Sequence, residues 1–332
     1  MKRKKLMLWA LPLICVLLLS GCTIGGKKVV FSDPIKVPSV LTVGTLKCPK
    51  EEAYVYLMNY RSLYDNIMGE SVWNGSFDLN RLSGSARVSV KDMIAETYVL
   101  SMDAKDKESD LLSEQEEKGI ADSARDYYSL MSEKEKEYSG ITEAQLVEAY
   151  KKFYIAQRNC NALMAAVDQE VSEDEARVID AQVIVISDPD LASKASIAIN
   201  TGKSFEEVMN TYSKGPRGQI SFGRNTYPKE AEDVIFRLEN QETSGLITAG
   251  GQYYIVKCIN KYNAALSEEN KQKILEERKV SAIRNVIEES KGKYVTAEDT
   301  EFWNNAVIIS EEGNAEKKRD SFFSVLQKHL VI

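Results

Sequence analysis

Two stretches, "DAQVIVIS" at Asp180–Ser187 and "QYYIVKC" at Gln252–Cys258, decide how this chain is read. The first is β-branched and apolar almost without a break, the pattern of a strand covered on both faces. The second follows Gly250-Gly251, a pair suited to a tight hairpin, so it pairs with "SGLITA" before it. Between the two stretches, Pro189 and Asp190 open a helix that runs to about Asn200, where Gly202 stops it. Ser204 caps the next helix, which reaches Ser213. "KGPRGQISFGRN" reads as a loop with a short strand, and "KEAEDVIFRLEN" as a helix. The sum is a small α+β domain, a four-stranded antiparallel sheet with about four helices.

Outward from this core the period becomes helical. Ala53, Tyr56, Leu57, Tyr60, Leu63, Tyr64 and Ile67 form one apolar stripe of a helix from about Cys48 to near Gly69. A second helix is expected from about Ser89 to Met102. Four starts then carry the capping-box pattern: Ser113 with Glu116, Ser132 with Glu135, Thr142 with Gln145, and Ser172 with Glu175. After Tyr262, "SEENKQKILEERKVSAIRNVIEESK" and the tail "DSFFSVLQKHLVI" return to amphipathic helix. Neither buries its apolar face alone, so both are expected to pack back on the earlier helices. The overall class is α+β: one discontinuous all-helical domain into which the small domain is inserted, with strands expected only in the insert.

The beginning of the chain reads as an address. Lys2, Arg3, Lys4 and Lys5 precede an apolar run from Leu6 to Leu19 and then Leu19-Ser20-Gly21-Cys22, the layout of a signal peptide. Leu-Ser-Gly-Cys resembles the lipobox of bacterial lipoproteins. That resemblance implies cleavage before Cys22, lipidation of its thiol, and anchoring on the outer face of the membrane. The expected divisions are 1–21 signal peptide, 22–40 tether, 41–174 helical domain, 175–262 inserted domain, and 263–332 returning helices. Loss of residues 1–21 removes four cations and no acid, taking the formal charge from −7 to −11. An acidic surface without a basic, aromatic-bearing stripe excludes nucleic acid as a partner. The remaining cysteines, Cys48, Cys160 and Cys258, lack metal-site spacing, although one pair could bridge in an oxidising compartment. With His329 as the single histidine, neither a metal site nor any cofactor is expected.

The segment Arg177–Tyr262 resembles a parvulin-type peptidyl-prolyl isomerase domain. "DAQVIVIS" matches the family's Ala-x-His-Ile-Leu-Val strand, and "IAINTGKSFEEVMNTYS" its helix pair around Gly-x-x-Phe. "GQISFGR" stands for Gly-Asp-Leu-Gly, "AEDVIFRLENQETSGLI" for Phe-Glu-x-Ala-x-Phe and its continuation, and "QYYIVKC" for Gly-Tyr-His-Ile-Ile-Lys. With the lipobox and the flanking helices, the whole chain is similar to the PrsA-type extracytoplasmic foldases and, more distantly, to SurA-like chaperones. The resemblance implies unfolded secreted polypeptides as partners and a Gram-positive envelope.

Carried over residue by residue, the family's site is altered. Its two strand histidines correspond to Val183 and Tyr254, its pocket Met or Leu to Tyr227, and its pocket Phe to Ala231. Ile220 keeps the apolar character of the second strand. The peptide-binding candidates are therefore Val183, Ile220, Tyr227 and Tyr254, and Tyr254 is the one catalytic candidate. Two readings stay open: a tethered chaperone with a degenerate isomerase domain, and an isomerase working without histidine. An unrelated binding lipoprotein is a distant third, because such proteins alternate strands and helices over two lobes. Serine, cysteine or carboxylate hydrolysis gets little support, since there is no GxSxG motif and the one histidine lies in the C-terminal helix.

Overall fold

The computed structural model of the protein describes residues 39–68, 79–309 and 320–330. The expected signal peptide, most of the tether and Cys22 lie outside the described residues. The chain forms two compact units, Val167–Lys279 and the residues on either side of it.

In the flanking unit, β1 (Leu41–Val43) and β2 (Leu46–Cys48) lead into α1 (Lys50–Met68), α2 (Leu79–Asp106) and α3 (Glu114–Leu130). Then come α4 (Glu133–Ser139) and α5 (Glu143–Ala165). The central unit holds α6 (Glu173–Ala176), β3 (Ile179–Ile186), α7 (Pro189–Asn200), α8 (Phe205–Tyr212) and β4 (Gln219–Phe222). It continues with α9 (Lys229–Ile235), β5 (Ile247–Ala249) and β6 (Gln252–Asn260). Helix α10 (Ala264–Glu289) crosses the division, and β7 (Thr296–Glu298), α11 (Thr300–Asn305) and α12 (Phe322–His329) complete the flanking unit.

Strands are not confined to the insert. β1, β2 and β7 pair antiparallel in the order β2-β1-β7, with Leu41 opposite both Cys48 and Glu298. Each strand has three residues, too few for an alternation to register in sequence, and β7 comes from the far end of the chain. Gly44 turns this hairpin at φ +58°, and a Cβ there would sit 2.9 Å from Met102 Cε. Helix α2 is longer than expected, starting ahead of the helix-poor "LSGS" and running on to Asp106.

The reciprocal capping boxes form at Ser113, Ser132 and Thr142. At Ser172 only half of the box forms: the hydroxyl accepts from Glu175 N–H, but the Glu175 carboxylate is taken by Arg278, at 2.6 and 2.8 Å. The core of the flanking unit is aromatic. Phe322 of α12 stacks on Tyr150 at 4.0 Å between ring centroids, and meets Tyr127 and Tyr56 edge-on at 5.6 and 5.3 Å. Tyr56, Met58, Tyr98, Tyr127 and Tyr150 are all buried in this core.

In the central unit the sheet order is β4-β3-β6-β5, all antiparallel, with Val183 opposite Val256 and Val185 opposite Tyr254. Gly250 (φ +55°) and Gly251 (φ +73°) make the β5–β6 turn, as two positive φ values in a two-residue hairpin require. Ile184, Ile186 and Ile255 pack under α7 and α8; Val183, Tyr254 and Val256 pack under α9 on the opposite face. The unbroken apolar run of β3 follows from burial on both faces. Asp180 anchors its start, accepting from Ser221 Oγ at 2.6 Å and from Asn263 Nδ2 at 3.0 and 3.1 Å. Helix α9 is shorter than the sequence pattern suggests, because the following segment joins the sheet: Gln241 N donates to Cys258 O at 2.7 Å and Ser244 N to Val256 O at 2.8 Å. Cys48, Cys160 and Cys258 are buried free thiols, so no pair bridges.

Candidate peptide-binding site

The parvulin-like face is the side of the sheet beneath α9. Val183, Tyr254, Ile220, Tyr227 and Ala231 all belong to one apolar cluster there. Alternation brings them together: Val183 lies on β3 and Tyr254 on β6, their side chains on the same sheet face, while Ile220 enters from β4. Tyr227 arrives from the loop between β4 and α9. Val183 is 0 % and Tyr254 5 % exposed, whereas Ile220, Tyr227 and Val185 are half-buried. The two positions aligned with histidines are therefore floor, and the half-buried trio is the part that a ligand could touch.

Aromatic rings run in a row across this face. Phe236 meets Phe222 at 6.2 Å, Phe222 meets Tyr227 at 4.9 Å, and Tyr227 meets Tyr254 at 5.7 Å, each edge-on. Such edge-to-face contacts are favourable beyond the area they bury. Arg224 of the same loop lies over the Phe236 ring at 4.4 Å and pairs with Asp174 at 2.5 Å, which ties the loop to α6 and to the end of α9. Across the face, Gly215 rests on Val185; a Cβ there would come within 2.7 Å of Val185 Cγ2. Ser213 Oγ accepts from both Val185 N and Gly215 N at 3.0 Å, closing that side.

The polar groups at the site are few. Tyr254 OH donates to Gln252 Oε1 at a long 3.4 Å, so the hydroxyl is weakly held. Burial, with Tyr254 nearby, pushes the Tyr227 phenol above its ordinary range, which keeps it a neutral donor. An apolar aromatic surface of this kind can seat a proline ring and offer a hydroxyl to a carbonyl. Two contributors, Val185 and Gln252, escaped the sequence reading, although each lies two residues from a singled-out position and so shares its sheet face.

No family model matches the chain. Among curated proteins, Foldase protein PrsA 4 of Bacillus cereus is 24% identical over 156 residues, 45% of this chain and 55% of that protein. The curated proteins that this chain matches are PrsA-type foldases. Foldase protein PrsA 1 of the same organism is 30% identical over 101 residues, 28% of this chain and 35% of the relative. The matches thus span about half, and about a third, of the relatives' own lengths. Among solved structures, the peptidylprolyl isomerase PrsA of Bacillus cereus aligns with a TM-score of 0.38 at 19% identity, over 70% of this chain and 93% of that one. PrsA of Bacillus subtilis aligns at 0.26 and 17% identity, over 84% and 98%. Among the described residues, no helix is long and apolar enough to cross a membrane.

Proposed function

We propose that this chain is an extracytoplasmic protein-folding factor of the PrsA type. It is tethered through lipid on Cys22 and acts on unfolded secreted polypeptides, which the central unit binds at proline-containing segments. The helical segments on either side, with the divisions expected from sequence, act as its chaperone body. Catalysis of prolyl isomerisation is weak or absent. One observation carries this last point: where the resemblance calls for two histidines, Val183 and Tyr254 are buried in an apolar cluster. Lowering a barrier of ~18–20 kcal/mol for amide rotation requires groups that hold the twisted amide better than the planar one. An apolar floor supplies few of them.

The test is a protease-coupled proline isomerisation assay on residues 23–332, run beside an aggregation assay with a secreted client. A flat isomerisation trace with suppressed aggregation supports the proposal; absence of both sinks it. The weakly held Tyr254 hydroxyl, edge-on to Tyr227, favours the second reading, an isomerase without histidine. That reading requires a rate above background that falls on Tyr254→Phe. Mass spectrometry of the mature amino terminus checks the lipid on Cys22.

A further inference from the structure

The loop that carries Tyr227 is held by a carboxylate that the peptide-binding reading does not use. Pro228 is the N-cap of helix α9 and provides no side-chain cap. Glu232, one turn into the helix and 6 % exposed, reaches back to the loop instead. Its Oε1 accepts the backbone N–H of Thr226 at 2.8 Å and that of Tyr227 at 3.1 Å. The hydrogen-bond partners of this buried acid are thus two consecutive main-chain donors. A carboxylate buried in this way is costly unless its donors stay in place, so it enforces the loop conformation.

Other contacts set the loop path and flank the Tyr227 ring, but its backbone N–H is held by Glu232. Asn225 takes the left-handed conformation at φ +66°, and Thr226 Oγ1 donates to Gly223 O at 2.8 Å. Pro228 packs against the hairpin turn, where a Cβ on Gly250 would be 2.8 Å from Pro228 Cγ. The N–H of Tyr227 is bound by Glu232, and its ring stands edge-on to Phe222 and Tyr254. We infer that Glu232 is a positioning residue: it sets where the Tyr227 ring stands over the sheet, and thereby the width of the face that receives a proline. This rests on the peptide-binding reading of that face.

Two variants separate the roles of oxygen and charge. Glu232→Gln keeps an acceptor at the same reach; Glu232→Ala removes it, and Glu232→Asp, shorter by one methylene, is the fallback if the alanine variant does not fold. Binding of a proline-containing tetrapeptide is followed by NMR titration of the full mature chain, together with amide hydrogen exchange at Thr226 and Tyr227. The expected result is binding weakened about tenfold in Glu232→Ala, the scale of one strong polar interaction, and near-native binding in Glu232→Gln. Loss of protection should be confined to the loop, whereas a merely structural role would lower protection throughout the central unit. Native binding by a Glu232→Ala variant with an unprotected loop overturns the proposal. If the wild-type chain binds no peptide, the peptide-binding reading fails, and exchange at Thr226 and Tyr227 still decides whether Glu232 holds the loop.

Discussion

Asn59 Oδ1 accepts the backbone N–H of Phe322 at 2.8 Å, joining α1 to α12. Asn59 is 3 % exposed, and its amide nitrogen donates to Val55 O at 2.8 Å and to Tyr127 OH at 2.7 Å. Tyr150 OH takes the other main-chain group, donating to Phe322 O at 2.8 Å. Both backbone polar groups of a buried helix start are therefore satisfied by side chains from elsewhere, as burial demands.

Asn59→Ala leaves the Phe322 N–H buried and unpaired. We expect a loss of about 2–3 kcal/mol, the desolvation cost of that group plus the lost amide bonds. Urea denaturation of the mature chain measures it, and a change under about 0.5 kcal/mol, the usual surface range, would contradict the role given to Asn59.

Gly119 of α3 lets α12 dock closely: a Cβ there would stand 2.6 Å from Leu330 Cδ2 and 2.7 Å from Leu330 Cγ. Alanine gains roughly 1 kcal/mol of helix propensity, but the overlap costs about 1–3 kcal/mol, so Gly119→Ala should be neutral to destabilising despite its better propensity. In a double-mutant cycle, Leu330→Ala should relieve the overlap; strict additivity would mean that the two residues do not press on each other.

Glu96 on α2 is 3 % exposed, and its Oε2 has no hydrogen-bond partner. Burial, reinforced by Asp92 and opposed by Lys291, pushes its carboxyl up to about 8. The folded state thus holds a proton that the unfolded chain releases above its ordinary 4.5, so stability falls as pH rises from there towards 8. Glu96→Gln should flatten that decline and make the protein more stable than wild type at pH 8. Parallel stability curves for the two proteins would refute this.

Glu116 behaves in the opposite sense. Burial raises its carboxyl, but the Ser113 backbone N–H, Tyr154, the Ser113 hydroxyl and Arg158 outweigh it and hold the carboxyl down to about 2. The stability it contributes is complete above pH 4.5 and is lost as pH falls towards 2. Glu116→Gln should keep much of the capping box, lose the pair with Arg158 at 2.9 Å, and weaken the acid limb of the stability profile. Thermal midpoints from pH 2 to 6 decide it; an unchanged acid limb counts against this assignment.

The site was legible in part. The resemblance pointed to Val183, Ile220, Tyr227 and Tyr254, and the structure gathers all four in one apolar cluster. What was not legible is how these residues divide between floor and surface, because exposure depends on α9 and on the loops that cover the sheet. Nor did "KEAEDVIFRLEN" reveal that Glu232 turns back to bind Thr226 and Tyr227 while the last residues of that stretch leave the helix.

Sequence alone determined what rests on neighbours in the chain. The hairpin at Gly250-Gly251, the caps at Ser113, Ser132 and Thr142, and the doubly buried strand β3 are written in residues a few positions apart, where backbone preference and periodicity act directly. The tertiary structure alone decided the pairing of β1 with β7, the clasp of Asn59 on Phe322, and the half-formed cap at Ser172 whose glutamate Arg278 takes. Those depend on groups brought together from distant parts of the chain, and a buried donor, acceptor or charge finds its partner only once the core has closed around it.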